Sequence, residues 1–167
     1  KVRLAMCQCF TALSPAVEVS DWEIRRGGRS YTVHTLEMLR GANPGAELYL
    51  CVGSDMLLSF EGWHRWQDIL RLAHLVVTSR HLGDDPELHA KALRLDPTGA
   101  RILFAPVQAL PMASSDIRTR LTAGEGCEAE LPEAVRAVIR REKLYKKEVS
   151  ANEPQTGKGA CARPLER

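Results

Sequence analysis

The chain has 167 residues and a mass of 18.5 kDa, which fits one domain. Hydrophobic residues make up 44% and charged residues 26%, and Lys+Arg 23 against Asp+Glu 21 leave a net charge of +2, so charge gives no argument for a nucleic-acid or membrane-surface binder. No apolar run approaches the roughly 18 residues of a membrane span, and Gly 12 with Pro 9 exclude collagen-like or Pro/Gly-rich low complexity.

In chain order, Val2, Leu4, Ala5, Cys9 and Phe10 predict a helical opening, which Ser14-Pro15 ends. Val17-Glu18-Val19 alternates as a strand should, with Trp22 and Ile24 extending it. After the polar turn Arg25–Arg29, the stripe Val33, Leu36 and Leu39 predicts a helix over Thr32–Arg40, stopped by Gly41, Asn43, Pro44 and Gly45. The apolar run Leu48–Val52, bounded by Gly53, predicts a strand buried on both faces, as in a parallel sheet. A short helix or turn follows over Met56–Phe60, then a helix over Trp66–Ala73 with Ile69, Leu70 and Ala73 inward. Leu75-Val76-Val77-Thr78 is another, β-branched strand, Pro86–Leu95 a helix, and Ile102–Phe104 with Val107 a further strand. Ser115–Leu121 starts a helix, and Pro132 opens the last, whose apolar face is Val135, Val138 and Ile139, with Leu144 and Tyr145 closing it. Residues 1–149 form one α/β domain and Ser150–Arg167, almost without large apolar residues, is a disordered tail. Strands alternating with helices mean a mainly parallel, doubly wound sheet, with ligands at the carboxyl ends of its strands.

The five Cys (Cys7, Cys9, Cys51, Cys127 and Cys161) contain no C-x-x-C pair, which argues against a disulfide framework or zinc site and for reduced thiols in a cytoplasmic protein. The chain begins at Lys1 rather than Met, so the absence of a leader in its polar first ten residues excludes nothing. His34 and His74 lie within predicted elements and His89 on a helix, so no metal pair is formed, and no Ser/His/Asp or Cys/His nucleophile arrangement is present.

Three loops carry candidate chemistry. In Leu110–Arg120, an N-cap at Ser115 accounts for the serines but not for Arg118, where a capping box wants Glu or Gln, nor for Arg120. Free helix N–H groups, the Ser114 and Ser115 hydroxyls and one or two guanidiniums make a phosphate cradle. After the run Leu48–Val52, Gly53 permits close approach of a ligand, and Asp55 binds a ribose hydroxyl or, with Ser54, serves as a helix cap. Trp63 follows Gly62 at the rim of the cleft, where its indole either stacks on a planar ring or packs, while Trp66 packs in the core beside Ile69 and Leu70. Thr32 is a cap or an anion contact, and Arg80, following Leu75–Thr78, meets a carboxylate or phosphate or is solvated.

These residues together resemble one family, the bacterial nicotinate-nucleotide adenylyltransferases, nucleotidyltransferases of the Rossmann-like α/β type. The resemblance runs from about Lys1 to Tyr145 in five ordered blocks. Arg29-Ser30-Tyr31-Thr32 with Thr35-Leu36 is similar to P-S-Y-T-x-x-T-L, and Tyr49–Asp55 to a strand ending in G-x-D. Trp63 with Ile69-Leu70 is similar to W-x-x-x-x-x-I-L, Met112–Arg118 to I-S-S-T-x-I-R, and Leu131-Pro132, Val135, Ile139 and Leu144-Tyr145 to a closing L-P-x-x-V…I…L-Y. Departures are Ala113 for the first signature Ser, Ser115 for Thr, His64 at a position often aromatic and His81 for the Pro after Arg80. The family's opening strand and its G-G-T-F-D-P-x-H-x-G-H loop have no counterpart, so its two catalytic His are absent and no residue here is assigned as principal catalyst.

The resemblance implies transfer of AMP from ATP to nicotinate mononucleotide, giving deamido-NAD and pyrophosphate, with Mg²⁺ accompanying ATP. Gly53, Asp55, Ser114, Ser115 and Arg118 are then the ATP residues, and Tyr31, Thr32, Trp63, His64 and Arg80 those of the mononucleotide. Two alternatives stay open: a nucleotide-binding remnant without activity, and a related adenylyltransferase acting on another phosphate such as phosphopantetheine. Trp63 and Tyr31-Thr32 argue against the last. The sequence gives no oligomeric state.

Overall fold

The computed structural model describes residues 1–78, 86–107 and 112–146, which fall into two units, Lys1–Ala113 and a second beginning at Ser114. The first opens with α1 (Val2–Gln8), which tightens into a 3-10 turn over Cys9–Leu13 before Ser14, as expected. The strand expected at Val17–Val19 is not formed. Ser14 Oγ accepts from the Ala16 N–H at 3.1 Å and Val17 N–H donates to the Ser14 carbonyl at 3.0 Å, so the chain turns instead of extending. Trp22 and Ile24, expected to prolong that strand, lie in a short helix α2 (Trp22–Arg26), whose first N–H donates to Ser20 Oγ at 3.2 Å. Three alternating residues with no strand beside them do not outweigh these local bonds.

The remaining elements of this unit follow the predicted order: α3 (Thr32–Ala42), β1 (Tyr49–Gly53), α4 (Ser54–Leu58), a 3-10 turn Phe60–Gly62, α5 (Trp66–Leu72), β2 (His74–Thr78), α6 (Pro86–Leu95) and β3 (Ile102–Phe104). Val107, expected to continue the last strand, lies beyond it and is exposed. The sheet is parallel in the order β1-β2-β3, with Leu50 beside Leu75 beside Ile102, and Cys51 beside Val76 beside Leu103.

One face of this sheet carries the core. Leu75, Val77, Val52 and Ile102 are buried with Val33 and Leu36 of α3, Leu57 of α4, Phe60, Ile69 and Leu70 of α5, and Leu88, Ala92 and Leu95 of α6. The helical periods read from the sequence place these residues inward, except that Leu39 is exposed. The opposite face corrects the expectation that β1 is buried on both sides: Tyr49 is 52% exposed, Cys51 is exposed and Leu103 is 41% exposed. An apolar run reports what a strand can bury, not whether both its faces meet a neighbour.

The second unit holds α7 (Ser114–Thr122) and α8 (Glu133–Arg141). Pro132 is the N-cap of α8, with its carbonyl accepting from the Val135 and Arg136 N–H groups. Glu133 in the first turn and Arg140 and Arg141 in the last complement the helix dipole. Val135, Val138 and Ile139 form the buried stripe predicted for it, and Leu144 and Tyr145 are half-buried at its end. The tail expected over Ser150–Arg167 lies outside the described residues. Among the described residues no helix is long and apolar enough to cross a membrane.

Candidate functional site

At the carboxyl ends of the strands, Gly53 stands beside Thr78, whose hydroxyl donates to the Val52 carbonyl at 3.4 Å. Gly53, not Ser54 or Asp55, is the N-cap of α4, with φ −80° and ψ 164°. Those angles are open to any residue. What the missing side chain leaves is room, since a Cβ added there meets no atom within 4 Å. Asp55 is exposed in the first turn of α4, which Leu57, fully buried, anchors to the core.

Four of the predicted residues line one pocket. Tyr31, Thr32, Trp63 and His64, with Ser30, Gly62 and Ile69, enclose about 290 Å³ at the start of α3. Tyr31, rather than Thr32, is the N-cap of α3, and no side chain caps that end. The unpaired N–H groups of the first turn and the positive end of the helix dipole favour an anion there. Trp63 lines the pocket, and its ring packs 5.3 Å from that of buried Phe60. Trp66 packs against the core as expected, 6.2 Å from Phe60.

The loop bearing Trp63 and His64 is held to α3 by Arg65, which adopts a left-handed φ of 55° as the N-cap of α5. Its guanidinium meets Glu37 at 2.8 Å and Asp68 at 2.7 Å, and these fixed pairs hold a conformation that non-glycine residues visit rarely. On the other side of the loop, Glu61 receives the buried ammonium of Lys91, whose hydrogen bond and charge hold the Glu61 carboxyl below the usual carboxylate range. Arg29 donates to the Tyr31 hydroxyl at 3.2 Å.

One residue escaped the sequence reading. His34 was set aside as lying within a helix, yet its ring is 5.7 Å from Tyr31 and 5.9 Å from His64. Tyr31 and His34 are three apart at the start of a helix, a spacing that puts both on one side. Arg80 lies outside the described residues.

In the second unit, Ser114 and Ser115 are the first two residues of α7, so Ser115 is inside the helix and is not its cap. The Ser115 hydroxyl donates to Asp116 at 3.2 Å. Ser115, Arg118, Thr119 and Thr122 form one polar helix face around an open hollow, and Arg118 holds no ion pair among the described residues. Arg120 is different. It meets Glu125 and Glu130, each at 2.5 Å, and holds the Glu130 carboxyl below its ordinary range. Of the two arginines, Arg118 is the one without an ion pair among the described residues.

The model of the cytidylyltransferase-like family matches residues 1–120. The chain belongs to that family. A probable nicotinate-nucleotide adenylyltransferase of Chloroherpeton thalassium is 41% identical over 80% of this chain and 65% of its own length. A protein of the same name from Acidithiobacillus ferrooxidans is 41% identical over 86% of this chain and 72% of its own. The chain thus spans just under two thirds of the first of these relatives and somewhat more of the second. Among solved structures, a nicotinic acid mononucleotide adenylyltransferase of Plasmodium falciparum, complexed with APC, superposes with a TM-score of 0.66 at 16% identity, covering 86% of this chain and 74% of that one. The family's Rossmann-like α/β fold is therefore the fold of this chain.

Proposed function

We propose that the protein is a nicotinate-nucleotide adenylyltransferase. The observation that carries this reading is the 41% identity, over 80% and 86% of the chain, to two relatives bearing that name. The pocket at the uncapped start of α3 suits an anionic, ring-bearing substrate: Trp63 stacks on the pyridine ring, and Tyr31, Thr32 and the adjoining N–H groups hold the mononucleotide. His64 lines the same pocket, and Arg80 is assigned to this substrate by its position after β2. Ser114, Ser115 and Arg118 hold ATP phosphates, and Gly53 and Asp55 line the ATP cleft.

A phosphate oxygen of the mononucleotide attacks the α-phosphorus of ATP in line. The new P–O bond forms as the bond to pyrophosphate breaks, giving deamido-NAD and pyrophosphate. Such a transfer depends on positioning and on neutralising charge rather than on a covalent enzyme intermediate. Among the described residues no three His, Cys, Asp or Glu side chains are grouped around a metal site. Mg²⁺ would come with ATP and would keep several of its waters. Bound with ATP, Mg²⁺ supplies charge shielding. The free thiols of Cys7, Cys9, Cys51 and Cys127 accord with a reducing, cytoplasmic compartment.

The test is direct. The protein expressed from its full reading frame is given ATP, Mg²⁺ and nicotinate mononucleotide, and products are separated by chromatography. Deamido-NAD and pyrophosphate in equal amounts are expected. Formation of neither rejects the activity.

A further inference from the structure

We infer that Lys91, which lies outside the pocket, is a positioning residue for the mononucleotide: through Glu61 it fixes the turn that ends at Trp63. The inference rests on the substrate reading above. Lys91 sits on α6 beside Leu88, Ala92 and Leu95, on the face that packs into the core, and is 6% exposed. Its ammonium reaches the carboxylate of Glu61, in the 3-10 turn Phe60–Gly62. Withdrawing an ammonium from water is seldom offset by one ion pair, and a well-packed apolar side chain of similar size is often as stable there or more so. The partner here is itself 58% exposed, and the rest of this helix face is apolar. Stability therefore does not account for the charge. Direction does: an ion pair holds two groups at one separation, whereas apolar contact is non-directional.

The turn is short and stiff enough to pass that constraint on. The Gly62 and Trp63 N–H groups donate to the Ser59 and Phe60 carbonyls at 3.0 and 2.9 Å, and the Phe60 side chain is fully buried. A shift of Glu61 therefore reaches Trp63, two residues on. At the far end of the same segment Arg65 meets Glu37 of α3 at 2.8 Å. Residues 61–65 are thus braced from α6 at one end and from α3 at the other, and the residues between the braces, Gly62, Trp63 and His64, line the pocket. The two braces differ in strength. Arg65 and Glu37 are 43% and 42% exposed, a surface pair of the kind that contributes little. The Lys91 ammonium is shielded from solvent and salt, so its pair is the firmer one.

The experiment is Lys91→Met in the protein expressed from its full reading frame. The change removes the ammonium, keeps the length of the side chain and leaves Glu61 to be solvated. KM for nicotinate mononucleotide is expected to rise by up to about tenfold, the affinity that one aromatic stacking contact supplies. Both kcat and KM for ATP should stay within about twofold of the parent, the signature of lost binding rather than lost chemistry. The melting temperature should be unchanged or higher, which separates positioning from a merely structural role. Glu61→Ala approaches the pair from its exposed side. It should raise the same KM but lower the melting temperature, because the ammonium stays buried without its partner. The double variant should be no worse in KM than either single one. A Lys91→Met protein with the parental KM for the mononucleotide overturns the proposal. So does a rise shared equally by both substrates, which would mean general loosening. Should Lys91→Met not fold, Glu61→Ala decides by the same two criteria. Should the parent neither bind nor convert the mononucleotide, the substrate reading fails and this inference with it. Should the parent convert it and Lys91→Met do so indistinguishably, only this inference fails.

Discussion

Two charged residues are buried among those described, Lys91 and Asp96, and each is satisfied in a different way. Lys91 sends its ammonium to Glu61, a single partner at the surface. Asp96 ends α6 and gathers the turn before β3: it accepts from the Thr98 hydroxyl at 2.5 Å, the Thr98 N–H at 3.2 Å and the Arg101 N–H at 2.6 Å. Burial pushes its carboxyl up, but the bonds from Thr98, Arg101 and Ala100 together outweigh that and leave it below its ordinary value. The sign follows from linkage. A depressed carboxyl stabilises the fold above the unfolded value near pH 4, and that contribution is lost as pH falls through the lower folded value. Asp96→Asn, which turns one acceptor into a donor facing these N–H groups, is therefore expected to cost about 1–3 kcal/mol at pH 7. The cost should shrink below about pH 4. Urea unfolding at pH 7 and pH 3 checks this. A cost that does not change with pH would mean that the turn responds to shape alone.

Helix α7 shows what an element adds to its residues. The sequence marks both Arg118 and Arg120 as unusual near a helix start, and it cannot rank them. Two positions apart on a helix they point to different sides. Arg120 turns toward Glu125 and Glu130 and ties the helix to the following loop, while Arg118 shares a face with Ser115, Thr119 and Thr122. Arg118→Ala is expected to lower kcat/KM with ATP by about a hundredfold, the cost of one lost preorganised donor, with little change in melting temperature. Arg120→Ala should do the reverse, lowering the melting temperature of the second unit and sparing ATP use. Kinetics and calorimetry on both variants decide between them; identical profiles would dissolve the distinction. The same contrast explains what the sequence disclosed. Helices α3, α5, α6 and α8 were legible because their apolar residues recur at helical spacing, as Val135, Val138 and Ile139 do. The strand imagined at Val17–Val19 rested on three residues, too few to reveal that Ser14 and Ser20 bind the backbone first. Tyr31, Thr32, Trp63 and His64 were legible one by one as motif residues, but only the packing of α3 against α5 gathers them around one hollow and brings His34 behind them.

On the scale of the whole molecule, the sheet of the first unit is asymmetric. Leu75 is fully buried on one face, and Leu103, in the neighbouring strand and on the other face, is 41% exposed. Sequence alone does not separate the two, because Leu75-Val76-Val77 and Ile102-Leu103-Phe104 are equally apolar. Stability follows the neighbours instead. Leu75 packs among Val33, Leu57, Phe60 and Ile69, so Leu75→Ala leaves a cavity that close-packed helices cannot fill, at about 2–5 kcal/mol. Leu103→Thr removes apolar surface that is already in part wet and introduces a β-branched side chain suited to a strand, so its cost should stay within about 0.5 kcal/mol. Denaturant midpoints of the two variants give the ratio, provided the slope of the transition is unchanged. The Cys51 thiol, on the same face as Leu103, adds a second readout: it should react with a thiol reagent in the folded protein, while Cys127, 2% exposed, should not. A Leu103→Thr cost approaching that of Leu75→Ala, together with a protected Cys51, would show that in solution this second face is covered as fully as the first.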